Sequence, residues 1–175
     1  MQTKLPSIVY QSLCLLTGLL ISYESMALKA DADQPMQIEA DKVILKEKQG
    51  ISRYLGHVTI SQGSRKIIGD SITIFASNEK VDKVIIEGKP ASFSQLNDDQ
   101  EIIEASSHKM TFHAQTEIMV LEINAILQQK DNIFRSEKII YNTAKDIMTA
   151  GDKDSTDPER VKITILPQKD SNTPQ

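Results

Sequence analysis

The chain has 175 residues, a length that suits one domain of ordinary size. Its net charge is −4 and its pI is near 5.4, which speaks against nucleic-acid binding, a function that shows a basic footprint. Aromatic residues make up only 5%, there is no Trp, and Ile and Val dominate the periodic apolar runs, so strands are favoured over helices.

Residues 1–27 read as a cleaved signal peptide. Lys4 supplies a positive n-region, 8–21 an apolar h-region, and Ser25-Met26-Ala27 an A-x-A-like cleavage site. The h-region is too short to span a bilayer comfortably; an uncleaved anchor is the alternative reading. Cys14, the only cysteine, lies inside this segment, away from the cleavage site and without a lipobox around it. Residues 28–175 are then a single domain without disulfides, held by its sheet and core alone.

Residues 28–33 read as a leader. The stretch 34–62 then alternates at period two, with Met36, Ile38 and Ala40, then Val43 and Leu45, then Val58 and Ile60 on one face, and with Gly50 and Gly56 at the turns. Strands are predicted over 36–40, 43–46, 52–55, 57–62, 66–68, 71–76, 83–87 and 91–95. After a polar turn at 97–100 they resume over 102–105, 109–113, 118–121, 125–129, 133–136, 138–142, 146–149 and 161–166. Residues 151–159 read as a charged loop and 168–175 as a disordered polar tail. Two related strand units, about 36–96 and 102–166, are visible. Ile38-Glu39-Ala40 matches Ile103-Glu104-Ala105 at an offset of 65, whereas 57–62 matches 124–129 and 70–74 matches 137–141 at 67. A repeated unit of short strands argues for an elongated all-β architecture, whether sandwich, jelly roll or barrel.

Catalytic constellations are absent from the sequence. Gly69-Asp70-Ser71-Ile72 looks like the opening block of a GDS-type esterase, but no Asp-x-x-His follows and the last histidine is His113; there is no G-x-S-x-G elbow either. His57, His108 and His113 lack zinc spacing. Asp152, Asp154 and Asp157 fall short of a calcium loop, because the mid-loop glycine is missing and Ile163 stands where a closing Glu belongs. No glycine loop would cradle a phosphate. The expectation is a non-enzyme without metal or cofactor.

Three blocks carry a family resemblance. Residues 31–41 (DADQPMQIEAD), Gly56-His57-Val58-Thr59-Ile60-Ser61-Gln62-Gly63 and Gly88-Lys89-Pro90-Ala91-Ser92-Phe93-Ser94-Gln95 stand in the order and spacing of the LptA (OstA-like) family of periplasmic lipopolysaccharide-transport proteins. The signal peptide and the terminal strand at 160–167 fit as well, so the resemblance covers essentially the whole chain. The chain departs from the family at His57, where Asn is usual, at Ile123, where Gly is usual, and in the acidic run 152–159.

The resemblance implies a twisted, open β-jelly roll of about sixteen short antiparallel strands, with lipopolysaccharide carried along its apolar interior. It implies head-to-tail stacking of subunits between an inner-membrane-anchored LptC-like partner and an outer-membrane LptD-like translocon, in the periplasm and with no cofactor. A bare acyl chain in water costs about 0.8 kcal/mol per methylene, so a carrier needs a continuous apolar face. The candidate lipid-facing residues are Met36, Ile38, Val43, Leu45, Val58, Ile60, Ile72, Ile74, Ile86 and Phe93, of which the resemblance singles out Met36, Ile38, Leu45 and Phe93. An ordinary filled core is the competing account of the same side chains. The candidate pairing edges are Gln34, Met36, Gln37 and Ile38 at one end, and Val161, Lys162, Ile163, Thr164 and Ile165 at the other, with Pro167 ending the last strand. An envelope scaffold that binds only protein partners is the alternative function.

Overall fold

The computed structural model describes residues 31, 33–78, 80–97, 99–151 and 160–166. The expected signal peptide, Cys14, most of the leader, the acidic run 152–159, Pro167 and the tail lie outside the described residues. Among the described residues ten strands follow in chain order: β1 (Gln37–Glu39), β2 (Lys42–Lys46), β3 (Ile51–Gln62), β4 (Arg65–Ser77), β5 (Lys80–Leu96), β6 (Ile102–His113), β7 (Ile118–Gln129), β8 (Asn132–Asn142), β9 (Ile147–Ala150) and β10 (Lys162–Ile165). A single 3-10 turn (Glu47–Gln49) joins β2 to β3.

All ten strands form one antiparallel sheet in the order β1-β3-β4-β5-β6-β7-β8-β10, with β2 also on β3 and β9 also on β8. Among the described residues the sheet does not close, since β1 and β2 end one side and β9 and β10 the other. The sixteen short runs seen in the sequence are all present. Twelve of them are halves of the six long strands β3–β8, each pair joined through a register shift, and four are the short edge strands.

Those register shifts bend the sheet, because a bulge adds residues to one strand and sharpens its twist. In β4 the inward set runs Arg65, Ile67, Gly69 and then, past the shift, Ile72 and Ile74. In β5 it runs Val84 and Ile86, then Ala91, Phe93 and Gln95. The alternation changes from odd to even, or back, at each bend, which in a sequence imitates a break between two strands. The bends define two limbs. The first holds β1, residues 58–62, 65–69, 91–96, 102–106, 125–129 and 132–136, and β10. The second holds β2, residues 51–55, 71–77, 80–87, 109–113, 118–122 and 138–142, and β9. Side chains at the bend close the core: Val58, Ile72, Ile86, Met110, Leu121 and Ile139 are fully buried. Each contributes about 1.5–3 kcal/mol of apolar burial. The result is an open β-jelly roll.

The internal repeat is a repeat of register. Adding 67 to the pairs Leu55↔Ser71 and Val58↔Gly69 gives Glu122↔Lys138 and Ala125↔Ser136, which are the pairs found across the second bulge. Adding 67 to Ile38↔Ile60 and Lys42↔Leu55 gives Ala105↔Leu127 and Lys109↔Glu122, also found. Ile38 therefore corresponds to Ala105, and its sequence match to Ile103 at 65 is two residues out. A two-residue slip leaves every side chain on its face, so alternation alone does not detect it. The bulges also match in backbone: Gly56 and His57 have φ of 76° and 44°, and Ile123 and Asn124 have 66° and 55°. Gly56 is needed at its place, since a Cβ there would stand 2.2 Å from Asp41 Oδ2. Ile123 takes the same left-handed conformation with a β-branched side chain, at a cost of about 1–2 kcal/mol.

Candidate functional site

The two limbs enclose a cavity of about 300 Å³ that is lined mostly by the first unit and completed by Phe112, Ala114, Met119 and Thr143 of the second. Met36, Ile60, Ile67 and Phe93 wall it from the first limb, and Ile74, Val84, Phe112 and Met119 from the second. Every one of these side chains points inward by strand alternation, and the rows are set by register: Ile38, Ile60, Ile67, Phe93, Ala105 and Leu127 stand opposite one another across six strands. The polar lining is Gln62, Arg65, Gln95 and Thr143. These sit at the hairpin ends of the limbs, away from the bend and together with the apolar Val81 and Ala114, so the polar groups gather at the mouth of a cavity whose floor is apolar.

Four of the ten predicted lipid-facing residues, Met36, Ile60, Ile74 and Phe93, line this cavity. Ile38 packs against the core beside it. Val58, Ile72 and Ile86 are sealed beneath it at the bend. Val43 and Leu45 lie on edge strand β2, opposite Tyr54 and Ser52, on the inward face but exposed because no strand follows. The sequence reading omitted Ile67, Val84, Phe112 and Met119, and the polar mouth altogether. Alternation with Gly69 and Phe93 places Ile67 inward once β4 and β5 are paired; the facing of Phe112 and Met119 needed the second limb.

The predicted pairing edges fall on the sheet's two ends. Gln37 and Ile38 are in β1, with Gln34 and Met36 just before it. Lys162 to Ile165 form β10, with Val161 just before it. Among the described residues β1 pairs only with β3 and β10 only with β8. Ile163 stands opposite Phe134 and Ile165 opposite Asn132, so both continue the inward rows to the edge, where they are 57% and 73% exposed.

Arg65 is half-buried at the mouth, and its Nε donates to Gln95 Oε1 at 3.3 Å. Burial holds its pKa below the ordinary guanidinium value, partly offset by the charges of Asp31 and Glu117. In the second unit the mouth is bridged. Tyr141 OH donates to Asp146 Oδ1 at 2.8 Å and Gln129 Nε2 to Asp146 Oδ2 at 2.7 Å, tying the first limb to the second. Burial, then the Asp146 carboxylate, raises the Tyr141 pKa, so its phenol stays a donor. On the outer surface His57 Nδ1 meets Asp41 Oδ2 at 2.8 Å, and that hydrogen bond and charge raise the His57 pKa.

Ser71 Oγ is buried without a hydrogen-bond partner, so no base activates it. No group of three or more His, Cys, Asp or Glu among the described residues could hold a metal ion.

The architecture is that of an unclosed jelly roll whose apolar interior runs to two sheet edges, and comparison with known proteins shows which family shares it. The family model described as LptA/(LptD N-terminal domain) LPS transport protein matches residues 37–147. The lipopolysaccharide export system protein LptH of Pseudomonas aeruginosa is 33% identical over 88% of this chain and 91% of its own. The LptA protein of Escherichia coli K12 is 31% identical over 85% of this chain and 80% of its own. The crystal structure of the Pseudomonas LptH, titled the LptA homologous periplasmic component of the conserved lipopolysaccharide transport device, superposes with a TM-score of 0.71 at 31% identity. It covers 79% of this chain and 99% of that one. The chain belongs to the LptA/LptD N-terminal-domain family of lipopolysaccharide-transport proteins.

Proposed function

We propose that this chain is a periplasmic lipopolysaccharide carrier. It holds lipid A acyl chains against the inward rows and stacks head to tail, so that the rows of one copy continue into the next between an LptC-like inner-membrane partner and an LptD-like outer-membrane translocon. The observation that carries this reading is the inward apolar row that reaches both unpaired edges: Met36, Val43 and Leu45 at one and Ile163 and Ile165 at the other, all exposed. A sealed core would end such rows in polar side chains, and an edge strand left flat and apolar invites a partner strand. The names of the relatives point the same way. An exported precursor with residues 1–27 as signal peptide fits a periplasmic site of action.

The test is chemical. A photo-crosslinking residue placed at Ile38 or Phe93 in living Gram-negative cells is expected to yield a lipopolysaccharide adduct, and one at outward-facing Ile68 is not. Absence of adducts from every inward position would leave a protein-binding scaffold as the function. Removing residues 161–175 is expected to abolish concentration-dependent growth in light-scattering mass while the monomer stays folded. Unchanged mass would count against pairing through β10.

A further inference from the structure

Arg65 lies on the inward face of β4 with Ile67 and Gly69, at the polar mouth of an otherwise apolar cavity. A guanidinium carries five N–H donors. Among the described residues its one side-chain hydrogen bond is the long contact to the neutral amide of Gln95. No carboxylate among the described residues forms an ion pair with it. Asp31, whose charge acts on it at a distance, accepts from Ser64 N at 2.8 Å and from Ser64 Oγ at 2.5 Å. Asp31 and Glu117 favour the charge from a distance, but a half-buried cation without a direct ion pair loses solvation that they offset only in part.

We propose that Arg65 binds the phosphate group of an amphiphile whose acyl chains occupy the cavity between Ile67, Phe93, Phe112 and Met119. The inference rests on the carrier function and adds to it the site that reads the lipid's anionic head. The polarity of the cavity sets the orientation. Chains point toward the bend, where the walls are apolar, and the head stays at the mouth, where Gln62, Gln95 and Thr143 supply neutral polar groups beside the guanidinium. A planar fork of donors suits phosphate oxygens better than a point charge does, so Lys should replace Arg65 only in part.

The test compares two lipids with the same acyl chains, lipid A and lipid A dephosphorylated by a phosphatase, titrated into the full protein by displacement of a fluorescent fatty acid. Wild type is expected to prefer the phosphorylated lipid by about tenfold or more. Arg65→Gln is expected to abolish that preference while changing affinity for the dephosphorylated lipid less than about twofold, and Arg65→Lys to keep part of it. Arg65→Gln should also melt at or above the wild-type temperature, because it removes a poorly solvated charge. A preserved preference, an equal loss for both lipids, or a lowered melting temperature would overturn the proposal. So would inorganic phosphate that binds the lipid-free protein through Arg65 yet fails to compete with lipid A. Wild type binding neither lipid would instead overturn the carrier function itself, and the head-group site with it.

Discussion

The two strand units share their register residue by residue, yet corresponding inward positions in them face different surroundings. In the first, Ile74 faces a cavity of about 300 Å³. In the second the corresponding position is Tyr141, whose hydroxyl joins Asp146 and Gln129 in a bridge between limbs. One backbone plan thus supports an open mouth and a tied one, and the choice rests on a few inward side chains. The units differ again at their bulges. The first uses Gly56, which meets the left-handed φ without a Cβ, and the second uses Ile123, which does not. Equal hydrogen-bond ladders therefore do not mean equal local stability.

The comparison can be broken most forcefully at the bend, where the units should behave alike. Ile72→Ala and Ile139→Ala remove corresponding, fully buried side chains. Each is expected to cost about 2–5 kcal/mol in urea unfolding; a cost under 1 kcal/mol for either one would mean that the two bends are not equivalent. The bulges should respond with opposite signs. Gly56→Ala is expected to destabilise by about 1–2 kcal/mol, and Ile123→Gly to stabilise by about 1 kcal/mol, through the left-handed backbone each must hold. Calorimetric midpoints that move the same way for both would refute that assignment.

The bridge should matter less for global stability than for local opening. Asp146→Ala is expected to cost about 1 kcal/mol, since the carboxylate is solvent-exposed and its hydrogen bonds are partly replaced by water. Amide exchange should quicken at 143–147 and stay slow at the corresponding end of the first unit. Unchanged protection there would show that packing alone ties the second mouth. The smallest effect lies on the surface. His57 carries a raised pKa, so its contribution to stability is present below pH 6.5 and disappears as pH rises through the folded value. Asp41→Asn is expected to return the His57 titration, followed by NMR, toward 6.5 with little change in unfolding midpoint at neutral pH. A titration that does not move would assign the shift elsewhere.

Much of the architecture was legible in the chain itself. Alternation at period two marked all sixteen strand runs, because each lies half-buried on an inward face, and the duplicated blocks marked the two units. The block 88–95 marked the segment that carries Phe93 and Gln95 to the cavity. Alternation did not reveal that twelve runs were halves of six strands, because a parity change at a bulge and a turn between strands leave the same trace in a linear sequence. It assigned Ile72 and Ile74 alike to the lipid, although one seals the bend and the other faces the cavity.

What the amino-acid order determined by itself is which side of each strand is apolar, a local property of successive residues. What only the tertiary structure decided is how deep each inward side chain lies and what it faces, because depth depends on limbs brought together by the bends. Arg65 illustrates the division: in sequence it is one polar residue at the start of a strand, and in space it is a cation with an apolar cavity in front of it and no carboxylate paired directly with it among the described residues.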